Sequence, residues 1–319
     1  MSLISIITPV YNETKNIKNY LDCIEKQTFK NFEIVFVDDG STDDSLLLLH
    51  EEKKRRSHLN IHILSQKNQG AYSARKKAVE YSKAKFVALL DCDDELSENA
   101  LELAIGQFIN DDIDTVLFTL QVEYLDENKN LRLSNPKVFT ENSEFSGKEA
   151  LLHSIDKWEV HGLGVFKTEI FKKSINTLEK YFPNENYFAK DEVITRLNFY
   201  FSKNIRIARG GEYFYKCNLQ STTKSLNKNA HTIILNDVLM HKMFLDMGID
   251  IGSNFIITRC QEQARYFSKN EELFSYIKNV KLSIATALKY IWESKNFFKL
   301  STKSKRRYLR LLIWVLWRK

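Results

Sequence analysis

A chain of 319 residues is long enough to bury one large core, or one core with a smaller appendage. With 43% hydrophobic and 28% charged residues it is globular rather than disordered, and ten glycines with three prolines argue against a loop-rich β-sandwich. The net charge of +6 comes from one place: seven basic residues and no acid lie from Lys303 to Lys319, so the body carries no spread of basic charge and nucleic acid is not an expected partner.

Cys23, Cys92, Cys217 and Cys260 lie far apart, with neither metal spacing nor a disulfide framework, which points to a reducing cytoplasm. Met1 to Ser5 leads straight into a strand, so no signal peptide is expected. No apolar run approaches the ~18 residues that a membrane span requires.

Taken in order, Leu3 to Thr8 predicts a strand ending at Pro9. A helix follows from about Lys15, with Ile17, Tyr20, Leu21 and Ile24 at helical spacing. Phe32 to Val37 reads as a strand, and Ser41 with Asp44 three residues later predicts a capped helix start. Ile61 to Leu64 is a third strand, Tyr72 to Ser82 a helix and Lys85 to Leu90 a fourth strand. This alternation over the first ~120 residues predicts an α/β fold, a mostly parallel sheet wrapped in helices. Thr115 to Tyr124 continues it as a strand, and Asp126 to Asn142 reads as a polar surface excursion. Helices are expected at Lys148 to Ser154, Thr168 to Lys180 and Glu192 to Ser202, with strand-like pieces at Ile205 to Ala208 and Glu212 to Cys217. Beyond residue 225 the pattern is helical throughout, so a boundary is placed there.

The fourth strand discharges into Asp91, Cys92, Asp93, Asp94 and Glu95. Carboxylates this close repel one another, so a cation among them is expected, and hard divalent ions prefer such oxygen donors. In open α/β sheets ligands bind beyond the carboxyl ends of the strands, where these acids lie. Asp91, Asp93, Glu95 and Glu102 mimic EF-hand spacing, but Leu96 occupies the glycine position and a strand precedes, which rejects a calcium loop.

Five segments carry a family likeness: Ile6-Ile7-Thr8-Pro9-Val10-Tyr11-Asn12, Gln27 to Ile34, Val37-Asp38-Asp39-Gly40-Ser41-Thr42-Asp43, Asn68-Gln69-Gly70 with Ala74-Arg75, and Leu90-Asp91-Cys92-Asp93-Asp94. In this order and spacing the chain resembles the family-2 glycosyltransferases of the GT-A fold, of the type that builds bacterial surface polysaccharides such as capsule or lipopolysaccharide. The resemblance implies a Rossmann-like, mostly parallel sheet over residues 1–225, with a nucleotide-sugar-binding half (1–120) and an acceptor half (121–225). A helical appendage with a basic amphipathic tail fills 226–319.

It further implies inverting transfer of a sugar from a nucleotide-sugar, usually a UDP-sugar, to an acceptor hydroxyl, with Mn²⁺ or Mg²⁺ as cofactor. Pro9, Tyr11 and Glu13 would line the nucleoside pocket, Asp39 would accept from the uracil ring, and Arg75 would sit near uracil or diphosphate. Asp91 would face ribose or metal, and Asp93 would ligate the metal, with Cys92 packed inside the same motif. The base on the opposite face of the sugar is, in the family, the Asp of a Glu-Asp pair opening a helix. Here that place reads Ala189-Lys190-Asp191-Glu192. Lys190 stands where Glu is expected; Asp191 is favoured as base and Glu192 is the alternative. A later loop, with Ser221, Thr223 and Lys224, would close over the diphosphate. His161, beside Trp158, is read as structural rather than as an acceptor contact.

The tail from Lys303 to Lys319 mixes cations with aliphatic and Trp residues, which suggests an anchor lying on an anionic membrane. The competing reading docks Leu312, Val315 and Leu316 on the appendage. An anchor would suit an enzyme, cytoplasmic and peripheral on the inner face of the cell membrane, that extends a lipid-linked glycan. Two other classes compete with the enzyme. A non-catalytic nucleotide-sugar-binding or membrane-docked scaffold is favoured only by Lys190, and a nucleotidyltransferase would need a glycine-rich loop that Pro9 to Lys15 lacks.

Overall fold

A computed structural model describes residues 2–109, 111–126, 129–182, 189–217 and 226–317. The chain forms two compact units, Met1–Thr177 with Ile194–Asn218, and Leu178–Val193 with Leu219–Lys319.

In the first unit the elements run β1 (Ile4–Val10), α1 (Ile17–Glu25), β2 (Phe32–Asp38), α2 (Ser45–Arg55), β3 (Ile61–Ser65), α3 (Ala71–Tyr81) and β4 (Phe86–Leu89). They continue with β5 (Glu95–Leu96), α4 (Ala100–Gly106), β6 (Ile113–Leu125), β7 (Leu131–Ser134), β8 (Glu144–Ser146), α5 (Gly147–His153), β9 (Gly164–Lys167), α6 (Thr168–Tyr181), α7 (Lys190–Phe201) and β10 (Asn204–Tyr215), with the end of α6 and the first turn of α7 counted in the second unit. One mixed sheet has the order β3-β2-β1-β4-β9-β6-β10-β5, with β7 paired to β6 and β8 to β10. The four strands β3-β2-β1-β4 are parallel, as the strand–helix alternation requires. Ile4, Ile6, Ile34, Phe36 and Ala88 pack with Ile17, Tyr20, Leu21 and Ile24 of α1, the apolar face that the helical spacing predicts.

Several elements differ from the sequence reading, each for a local reason. Between the helices expected at Lys148 to Ser154 and Thr168 to Lys180, residues 164–167 form a strand the sequence reading does not include, β9, antiparallel to both β4 and β6 in the middle of the sheet. A Cβ on Gly164 would lie 2.3 Å from the carbonyl oxygen of Val116, so glycine permits this close approach. The two pieces at 205–208 and 212–217 are one strand, β10, with a register shift between Ala208 and Glu212. The excursion after Asp126 contains β7, a short strand whose four residues are all exposed. Pro9 lies inside β1, not at its end: pairing with β2 continues to Val10–Asp38, whereas pairing with β4 stops at Ile7–Leu89. The missing N–H of Pro9 therefore costs no ladder bond on that side. Ser41 does not cap α2; its hydroxyl accepts from the amide of Asn12 at 3.0 Å, and the helix starts at Ser45 behind Asp44.

The second unit is helical among its described residues: α8 (Ile233–Asp246), α9 (Asn254–Lys269), α10 (Ile277–Glu293) and α11 (Thr302–Trp317), with short 3₁₀ turns between. Val280, Ile284, Ala287, Leu288 and Ile291 make the buried face of α10. α11 packs through Ser304, Tyr308 and Leu311, and the Tyr308 hydroxyl donates to the Leu288 carbonyl at 3.1 Å. Among the described residues no helix is long and apolar enough to cross a membrane.

Candidate functional site

Neighbouring parallel strands end side by side, so the tips of β2, β1 and β4 deliver Asp38 to Ser41, Pro9 to Asn12 and Asp91 to Asp94 to one edge of the sheet. The first two tips are sewn together. The amide of Asp39 donates to the Val10 carbonyl at 2.8 Å, and the Asn12 side chain accepts from the amide of Thr42 at 2.8 Å. Asn12 itself has φ of 58°, a left-handed conformation that asparagine tolerates.

Asp39 is buried, and its carboxylate organises the loop before α3. One oxygen accepts from Gln66 Nε2 at 2.8 Å and the Gln69 amide at 2.9 Å, and the other accepts from the Gly70 amide at 2.7 Å. Gly40, at φ of 73°, makes the turn; a Cβ there would lie 2.8 Å from the Asn68 nitrogen. The Asn68-Gln69-Gly70 segment and the Asp38-Asp39-Gly40 segment are thus one folded piece.

The acidic turn after β4 is half-buried and crowded. Arg75 of α3 places Nη2 at 2.6 and 2.9 Å from the two carboxylate oxygens of Asp91. Asp94 is buried: one oxygen accepts from the Tyr213 hydroxyl at 2.6 Å and the other from the Lys216 amide at 2.9 Å. Burial, reinforced by Asp91, pushes its carboxyl up to about 8, against the pull of those two hydrogen bonds. Glu13 is pushed up to about 7, chiefly by burial; the 2.6 Å bond from Asn16 opposes this, and the charges of Asp93 and Asp91 add to it. Cys92 is buried in the core, and burial followed by the charges of Glu13 and Asp93 pushes its thiol well up. The thiol is therefore a packing group. Tyr11 is exposed at the tip of β1.

Among the described residues no group of three or more His, Cys, Asp or Glu side chains is arranged to hold a metal ion alone. The chemistry of the donor set still fits a hard divalent cation. Asp91 and Asp93 offer oxygen ligands, their field lifts Glu13 and Asp94, and Mg²⁺-type ions commonly take one or two carboxylates with the rest from substrate phosphates.

The end of β10 and the residue after it also belong to this region. Lys216 links Glu123 and Glu95 by ion pairs of 2.9 and 3.1 Å, at the point where the chain leaves the sheet. Ser221, Thr223 and Lys224, expected in a closing loop, lie outside the described residues.

In the second unit the start of α7 is fixed by residues far along the chain. Ala189 is left-handed, with φ of 65°, and its carbonyl accepts from Asn236 Nδ2 at 2.9 Å. Glu192 pairs with Arg259 at 3.1 Å, and the same guanidinium reaches Asp237 at 3.1 Å. Asp191 is exposed, whereas Glu192 is half-buried on Arg259 and Lys190 is buried. No sequence signal pointed to Arg259 or Asn236. His161, in the first unit, accepts from the Leu163 amide at 3.2 Å, and burial pushes its imidazole down to about 4, so the ring is neutral at physiological pH.

The sequence profile described as glycosyl transferase family 2 matches residues 5–175. The glycosyltransferase GlyG of Streptococcus pneumoniae serotype 4 is 34% identical over 116 residues, which make up 36% of this chain and 38% of that protein. The chain thus spans well under half the length of that relative. The GalNAc(5)-diNAcBac-PP-undecaprenol beta-1,3-glucosyltransferase of Campylobacter jejuni is 25% identical over 272 residues, 84% of each chain. The crystal structure of S. aureus TarS 1-349 with UDP-GlcNAc matches in fold, with a TM-score of 0.63 at 19% identity over 93% of this chain and 88% of that one.

Proposed function

The chain belongs to glycosyl transferase family 2, and from that premise we propose that it is an inverting, metal-dependent transferase that moves a hexosyl or N-acetylhexosaminyl group from a UDP-sugar to an acceptor hydroxyl. The observation that carries this reading is the meeting of three parallel strand tips on one half-buried acidic edge, with Arg75 locked on Asp91. That edge suits a nucleoside diphosphate with its counter-ion.

In this reading Pro9, Tyr11 and Glu13 line the nucleoside pocket. Asp39 shapes its wall through Gln69 and Gly70 and keeps lone-pair capacity for a base N–H. Asp93 and Asp91 hold Mn²⁺ or Mg²⁺. When bound, such an ion offsets the charge that builds on the departing diphosphate. Ser221, Thr223 and Lys224 are assigned to the loop that covers it.

The acceptor oxygen forms a new bond to the anomeric carbon as the carbon–oxygen bond to the β-phosphate breaks. UDP leaves with that electron pair, and the acceptor proton goes to a carboxylate. Asp191 is the proposed base, and Glu192, paired with Arg259, is the alternative. The acceptor is proposed to be a growing, lipid-linked glycan, in line with the PP-undecaprenol named for the Campylobacter relative. Residues 303–319 would then hold the enzyme peripherally on the cytoplasmic face of the membrane.

The test is a panel of nucleotide-sugars incubated with the protein and Mn²⁺, read as release of free nucleoside diphosphate. Slow hydrolysis of one UDP-sugar, lost in Asp93→Ala, is the expected result; absence of both binding and turnover across the panel overturns the reading.

A further inference from the structure

α11 has two apolar faces, and only one is used. Ser304, Tyr308 and Leu311 dock inward, at spacings of four and three. Leu309, Leu312, Ile313 and Leu316 follow an i, i+3, i+4, i+7 pattern on an adjoining side, and all four are exposed, Leu309 by 52%, Leu312 by 37%, Ile313 by 57% and Leu316 by 70%. Single exposed leucines are ordinary, but a continuous helical stripe of them is not. Rotating the helix cannot hide it, because Tyr308 and Leu311 would then emerge. Of the three residues that the competing reading docks on the appendage, Val315 is half-buried, whereas Leu312 and Leu316 are exposed.

Next to the first turns of α11 stands a second apolar feature. Trp292 and Phe298, 57% and 69% exposed, lie with ring centroids 6.3 Å apart, and Lys305 Nζ donates to the Phe298 carbonyl at 3.2 Å. Exposed Trp beside cations is the composition of an interfacial belt. The helix carries Lys303, Lys305, Arg306, Arg307 and Arg310 and no acid. Arg307 is turned to Thr258 at 3.3 Å, while Lys303, Arg306 and Arg310 are exposed beside the stripe.

The geometry points to a preformed lipid-docking face, Leu309, Leu312, Ile313 and Leu316 flanked by Arg306 and Arg310, whose occupant is the surface of an anionic bilayer. The inference rests on the proposed lipid-linked acceptor and specifies which side of the tail meets the membrane. A second copy fits poorly, since pairing two stripes would bring two acid-free basic helices together. A bilayer takes the aliphatic side chains below its headgroups and the arginine stems alongside them. Because α11 is already helical and docked, binding requires no ordering of the tail, unlike anchors that fold on contact.

The full-length protein is tested by co-sedimentation with vesicles of phosphatidylcholine, alone or mixed with phosphatidylglycerol. Wild type is expected to partition onto the mixed vesicles with unchanged far-UV circular dichroism. Leu309→Ser with Leu316→Ser should weaken partitioning about a hundredfold. Arg306→Gln with Arg310→Gln should weaken it about thirtyfold, on anionic vesicles only. Both pairs are exposed, so thermal melts should match wild type. Unchanged binding in both double variants overturns the inference, as does a gain of helix on lipid addition. A wild-type dimer that Leu309→Ser with Leu316→Ser converts to monomer overturns it in favour of a second copy. UDP release from the donor is measured in parallel without vesicles: its absence removes the proposed reaction and leaves the docking face standing, whereas normal release without vesicle binding does the reverse.

Discussion

The hydroxyl of Tyr213 donates to the buried carboxylate of Asp94 at 2.6 Å and, at 3.4 Å, accepts from the amide of Asp91. One phenol on β10 thus holds both ends of the acidic turn that follows β4. Tyr213→Phe removes that clamp while keeping the ring. The expected cost is about 1–2 kcal/mol in a denaturant melt, from the unpaired groups left behind. UDP release should also fall, with KM for the donor rising more than kcat drops. A variant as stable and active as wild type would show that the turn needs no such support.

If Mn²⁺ or Mg²⁺ binds as proposed, protons compete with it for this edge. Glu13, at about 7, and Asp94, at about 8, hold protons in the metal-free fold that the unfolded chain has already released near neutrality. Both values are raised, so the stability they contribute is complete below about pH 4 and is lost as pH climbs through 7 and 8. Melting temperature with a chelator present should decline across that window, and the rise produced by Mn²⁺ with UDP should widen with pH. Parallel pH profiles with and without Mn²⁺ would refute this.

Asp93→Ala should abolish UDP release by at least about a hundredfold, and excess chelator should do the same to wild type, reversibly on adding Mn²⁺ or Mg²⁺. Asp39→Asn acts differently. It weakens three hydrogen bonds to the 66–70 loop, so its main effect should be weaker UDP binding by calorimetry, with lower thermal stability.

Asp191→Asn should lower transfer to an acceptor by about 10² to 10⁴ while leaving UDP affinity within about twofold. Glu192→Gln should retain most transfer and lose about 1 kcal/mol of stability, because Arg259 keeps Asp237 as a partner. The opposite pattern, transfer lost in Glu192→Gln and kept in Asp191→Asn, would move the base by one residue.

Much of the parallel half of the sheet was legible because its physics is local. Strands β1 to β4 are short apolar runs between polar turns, and α1 declares its buried face at Ile17, Tyr20, Leu21 and Ile24. The acids at the strand tips were readable for the same reason: a charged run directly after an apolar one has few bland explanations. What escaped was non-local. Gly164 to Lys167 is too short to show periodicity, and its strand character comes from the two neighbours it fits between. Ser41 had the spacing of a cap, but the Asn12 amide lay closer to hand. The pairing of Glu192 with Arg259 joins residues 67 positions apart, and nothing along the chain announces it.

The turn before α7 also bears on how this protein can be taken apart. Its left-handed Ala189 and its Glu192 are held by Asn236 and Arg259, both of which lie in the C-terminal helices. Truncation after residue 225 would keep every side chain of the nucleotide crevice and discard the scaffolding of Asp191. If Asp191 is the base proposed above, such a fragment would bind donor without a competent acceptor step, and deletion mapping that scored nucleotide binding alone would misassign the helices as dispensable.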